Sequence, residues 1–105
     1  MDAKWKADTR RRAAVHGVLS DPGRLAVVDL LAWGDRSPSE LASRLGMSSN
    51  LLAHHLNVLV EHGLVRRSRS EGDRRRTYLS LVPGALDGLR PEGTGSAPPA
   101  RVLFV

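Results

Sequence analysis

The chain has 105 residues, 41% of them hydrophobic, a formal net charge of +5 and a sequence pI near 11.0. That length supports one small domain with a modest core, and the basic balance favours an anionic partner. No apolar run approaches a membrane span, the charged start lacks a signal-peptide core, and the absence of cysteine excludes disulfides and thiolate metal sites; a cytoplasmic protein is expected.

Residues 8–20 carry helical periodicity, with a basic start at Arg10-Arg11-Arg12 and then Ala14, Val15, Val18 and Leu19 on one face. A small domain does not easily cover that face alone, so either a dimer partner or the chain's own core is expected to bury it. Residues 21–34 predict a second helix, capped by Asp21 with Pro22 in its first turn. Leu25, Val27, Val28, Leu30, Leu31 and Trp33 give it a broad apolar face, so it should be largely core.

Two shorter helical patterns follow. In Ser37-Pro38-Ser39-Glu40, Ser37 can cap exposed N–H groups, Pro38 suits the first helical position, and Glu40 can reach back to complete a capping box. Leu41, Ala42 and Leu45 then recur at helical spacing until Gly46 offers a left-handed stop. After the turn Gly46-Met47-Ser48, a stripe of Leu52, Leu56 and Leu59 defines another helix that ends at His62-Gly63. Its opposite face shows Ser49, Asn50, Ala53, His54 and Asn57, none of them a lysine or arginine. Small and amide side chains can bond base edges or phosphate oxygens without crowding a major groove, and Ala53 leaves room for a thymine methyl. The alternative is a merely solvated polar face.

Next, residues 64–69 and 74–82 have strand character, and Ser70-Glu71-Gly72-Asp73 supplies turn chemistry, which predicts a β-hairpin. Six arginines (Arg66, Arg67, Arg69, Arg74, Arg75, Arg76) stand there against two acids, which is most of the chain's surplus charge. Guanidinium forks grip phosphates bidentately and enter narrow minor grooves, so this tip suits the flank of a duplex. The alternative is a charge run kept for solubility. Residues 91–100 have the composition of a linker, and Arg101-Val102-Leu103-Phe104-Val105 reads as a buried strand or a packed tail.

The ordered set Asp21-Pro22-Gly23-Arg24-Leu25, Ser39-Glu40-Leu41-Ala42, Leu45-Gly46-Met47-Ser48, His54-His55-Leu56-Asn57-Val58-Leu59 and His62-Gly63-Leu64-Val65 resembles the ArsR-type winged helix-turn-helix repressors over residues 8–90. The resemblance implies a mainly α fold with a small β-hairpin, and a homodimer on palindromic double-stranded operator DNA. Its first and last helices would pair the protomers. Carried over by position, Ser48, Ser49, Asn50, His54 and His55 would lie at DNA, and Arg74, Arg75 and Arg76 in the wing. Two-fold symmetry would set the two reading helices about one turn of DNA apart.

Many members of that family release DNA when an ion binds cysteines in the helix before the reading helix. The matching segment here, residues 40–45, has none, and residues 83–90 offer only Asp87 where zinc-sensing relatives carry a cluster. Adjacent His54 and His55 point about 100° apart on a helix and should not share an ion. No metal, no cofactor and no catalytic residue are assigned, and the effector is left open.

The C-terminal run 101–105 is similar to the first strand of low-molecular-weight phosphatases and of arsenate reductases of that fold. The sequence therefore predicts a DNA-binding domain over 1–90, a linker over 91–100 and a tail over 101–105 that can open a further domain. The reading is a dimeric repressor of a metalloid or stress-resistance operon and not an enzyme. Its alternative is the regulatory or protein-binding module of a phosphatase-like fusion, distinguished by a cysteine-containing phosphate loop after Val105. A nucleic-acid hydrolase is disfavoured because the acids are scattered.

Overall fold

The computed structural model describes residues 4–69, 72 and 76–89, arranged as α1 (Lys4–Leu19), α2 (Pro22–Leu31), α3 (Pro38–Leu45), α4 (Ser49–Glu61), β1 (Val65–Arg69), β2 (Thr77–Leu81) and a short 3₁₀ segment, Ala85–Leu89, packed on α1. The expected linker over 91–100 and the run 101–105 lie outside the described residues, as do Arg74 and Arg75. Helices α2, α3 and α4 each begin where a side chain accepts N–H groups that the first turn leaves orphaned.

The Asp21 carboxylate accepts from the N–H groups of Gly23 and Arg24 at 2.8 and 3.2 Å, with Pro22 at the first helical position. Ser37 Oγ accepts from Glu40 N–H at 3.2 Å to open α3, and Ser48 Oγ accepts from Leu51 N–H at 3.1 Å to open α4. The reciprocal half of the expected capping box does not form. Glu40 instead receives Arg36 at 2.7 Å, because a guanidinium is a stronger donor to a carboxylate than a neutral backbone N–H. Gly46 (φ 63°) and Gly63 (φ 74°) end α3 and α4 in the left-handed conformation, which glycine adopts without a Cβ penalty. At α4 the bonds Gly63 N–H to Val60 O and Leu64 N–H to Leu59 O, 3.0 and 2.9 Å, close the last turn and aim the chain straight into β1.

The core draws on every helix and both strands: Val15 and Val18 of α1, Val27, Val28 and Leu31 of α2, Leu41 of α3, Leu52, Leu56 and Leu59 of α4, then Leu64, Val65 and Leu79 at the hairpin. The α4 stripe is therefore the one read from its spacing, and the chain's own core buries Val15 and Val18. The α2 face is narrower than its composition predicts. Leu25 is 44% exposed and Trp33 85% exposed. The helix stops at Leu31, and Leu25 points about 100° away from Arg24, whose half-buried side chain takes the inward position.

β1 and β2 pair antiparallel in the register Val65 with Leu81, Arg67 with Leu79 and Arg69 with Thr77. Arg36 adds a bridge on the other edge of β2, exchanging backbone bonds with Leu79 at 3.1 and 2.8 Å. The hairpin is thus anchored to the segment that precedes α3.

A polar junction joins three helices. Arg24 Nε–H donates to Val18 O at 2.8 Å, placing a cation where the carbonyl end of the α1 dipole is negative. Its Nη1 lies 3.5 Å from His55 Nδ1, and His55 Nε2 lies 3.9 Å from Asp21 Oδ1. The His55 ring fills the space above Gly23 so closely that a Cβ there would sit 2.6 Å from Nε2. Since His55 is only 6% exposed, the ring has little room to retreat. G23A is therefore expected to lower stability by about 1–3 kcal/mol in denaturant unfolding. In a double-mutant cycle, H55A should recover part of that loss; strictly additive losses would contradict the contact.

Candidate nucleic-acid interface

With Leu52, Leu56 and Leu59 fixed in the core, the rotation of α4 about its axis is set, and so is what it presents to solvent. Ser49, Asn50, Ala53, His54 and Asn57 are all exposed on its outer side, and Ser48 sits at its N-cap. These are hydrogen-bonding groups around one small apolar side chain, a surface able to approach base edges closely.

His55 does not belong to that surface. The family resemblance places it at DNA beside His54, but the structure buries it at the α2–α4 junction, 3.9 Å from Asp21. The reason is angular: one residue beyond His54 turns the side chain by about 100°, onto the flank of the leucine stripe. The two rings lie 5.8 Å apart and tilted, with His54 outward and His55 inward. Among the described residues no group of three His, Asp or Glu side chains is placed to hold a metal ion.

Alternation along the hairpin sorts the arginines. Val65, Arg67 and Arg69 share one face with their partners Leu81, Leu79 and Thr77, and Val65 and Leu79 on that face are buried against the helices. Arg66 and Ser68 point to the other side. Arg67 is exposed yet stands on the helix-facing side, where its Nη2 donates to Asn57 Oδ1 at 2.8 Å. It also lines a groove with Pro38, Ala42, Ser49 and Ala53, between α3 and α4. Across the start of α3, Arg76 and Thr77 border a second, shallower groove with Ser37, Pro38 and Ser39. Treating the hairpin as one basic run misses this division; the signal for it is the period of two running from Val65 through Arg67.

Electrostatics behind the surface keep α2 in place. The backbone N–H of Arg24, and after it that of Gly23, hold the Asp21 carboxyl below its ordinary range, outweighing partial desolvation, and the charge of Arg24 acts in the same direction. Along α1, Asp8 bridges Arg11 and Arg12, so part of that helix's cationic start is internally neutralised.

Helices α3 and α4 with their tight turn, followed by a β-hairpin, define a winged helix-turn-helix protein. A family model described as a helix-turn-helix domain matches residues 19–68. The arsenical resistance operon repressor of Staphylococcus xylosus is 36% identical over 85 residues, which is 76% of this chain and 81% of that protein. Among solved structures, an ArsR-like transcriptional regulator from Rhodococcus sp. RHA1 is 31% identical with a TM-score of 0.68, covering 77% of this chain and 74% of that one. A homodimeric winged helix-turn-helix DNA-binding domain from Mycobacterium bovis, a possible ArsR-family regulator, is 28% identical with a TM-score of 0.66, covering 78% and 73%. The chain belongs to the ArsR-type family of winged helix-turn-helix transcriptional repressors. Among the described residues no helix is long and apolar enough to cross a membrane.

The depressed Asp21 carboxyl carries a pH signature. A group whose folded pKa is lowered contributes stability that is present above its unfolded value and is lost as pH falls through the folded one. D21N keeps a capping oxygen but removes the charge. It is expected to be less stable than the wild type at neutral pH, with the difference shrinking below about pH 4. A difference that stays constant from neutral to acid pH in thermal unfolding would remove the charge from the account.

Proposed function

We propose that two copies of this chain bind a palindromic operator in double-stranded DNA and repress a metalloid or stress-resistance operon. Each α4 would enter a major groove, and each hairpin would follow the neighbouring backbone. The observation that carries this reading is the exposed face of α4, with Ser49, Asn50, Ala53, His54 and Asn57 side by side and Arg67 of β1 hydrogen-bonded to it at Asn57. The shape fits: a rigid helix presents small polar groups, and cationic forks flank it where a duplex would place phosphates. The operon class is taken from the staphylococcal relative named as an arsenical resistance operon repressor, and pairing from the neighbour described as homodimeric. The 105 residues contain no cysteine, so within them no thiolate can hold a metalloid.

Operator DNA selected from genomic fragments by the purified chain tests the reading, with the gene's own upstream region the expected product. Replacing Arg74, Arg75 and Arg76 together with alanine should weaken binding to all duplexes alike and flatten the dependence of log K on log salt, by about 0.9 for each phosphate no longer neutralised. An unchanged slope would take those three residues out of the interface. Alanine at Asn50 or His54 should instead shift preference among selected sequences, and an unaltered preference would point to a different reading surface.

A further inference from the structure

The hairpin arginines are not equivalent, and three observations place Arg67 at the reading surface. Strand alternation puts it on the helix-facing side with Val65, and not on the outer side with Arg66. Its guanidinium is tied to the exposed face of α4 through the Asn57 amide. It also borders the groove between α3 and α4 together with Ser49 and Ala53, two residues of the surface proposed to read DNA.

Building on the proposed operator binding, we infer that Arg67 is a specificity-determining residue, contributed by β1 and positioned by Asn57, that recognises a guanine edge in the major groove occupied by α4. Chemistry favours this assignment over a phosphate clamp. Guanine presents two acceptors, N7 and O6, spaced for a guanidinium fork, whereas α4 itself presents no lysine or arginine with which to address them. Among the described residues the Asn57 oxygen is the hydrogen-bond partner of Arg67 and engages one nitrogen, leaving other N–H groups of the exposed fork to reach a base. A carboxylate partner would neutralise the guanidinium. The neutral amide orients it without removing its charge, so less rotamer freedom is lost on binding. Asn57 thus acts as a positioning residue, its Oδ1 turned to Arg67.

The test uses the 105-residue chain and a pool of randomised duplexes, with bound sequences counted for wild type, R67A, R67K and N57A. Lysine keeps the charge but lacks the planar fork, so it separates base reading from phosphate attraction. Expected for both R67A and R67K is a loss of preference for guanine at one position in each half-site, by roughly 5- to 150-fold relative to wild type. R67K should keep the wild-type salt slope. N57A should relax preference at that same position by a smaller factor. If R67K discriminates as well as wild type, or if R67A weakens all duplexes equally, Arg67 is a backbone contact and the inference is overturned, while the proposed function stands. A wild-type chain that enriches no duplex sequence overturns both. Circular dichroism of each variant in parallel verifies that it is folded; since Arg67 is exposed, its removal leaves the core intact.

Discussion

The rotation of α4 about its own axis is the constraint on which everything else depends. Turned by a third of a revolution, the same helix would offer leucines to solvent and bury its amides. Two kinds of contact prevent that. Leu52, Leu56 and Leu59 draw one side inward through burial of apolar area, which is strong but has no direction of its own. His55, wedged over Gly23 beside Asp21 and Arg24, adds direction, because a ring held by shape and polar neighbours tolerates little rotation. A histidine in what resembles a DNA-contacting pair thus serves as the lock that aims its neighbour, His54.

The same junction links the reading surface to the rest of the fold. Arg24 caps the end of α1 through Val18 O and at the same time touches His55. On the other flank, the bridge between Arg36 and Leu79 fastens β2 to the segment entering α3, and the hydrogen bond from Arg67 to Asn57 fastens β1 to α4. The wing's base is therefore held at both strands, so the cationic groups there move with the helix they flank. Preorganisation of this kind lowers the ordering cost of binding and favours selective over merely sticky contact with nucleic acid.

Membership of the repressor family and absence of cysteine together frame the regulatory question. A thiolate switch cannot be built from these residues. At the junction of Asp21, Arg24 and His55, polar groups connect α4 to α1 and α2.

Many local signals are legible along the chain. Asp21 and Ser37 as caps, Gly46 and Gly63 as stops, and the leucine stripe of α4 can be assigned from sequence because capping and periodicity involve only near neighbours. The motif order from residues 21 to 65 is enough to indicate the family. Beyond those short spans, decisions pass to the tertiary structure. Whether Leu25 and Trp33 enter the core, and what the inward-turned His55 meets there, depend on how the elements pack together. The hydrogen bond between Arg67 and Asn57 belongs to the same class, since strand alternation states which side a side chain takes, but only packing of the hairpin on α4 states what it meets there.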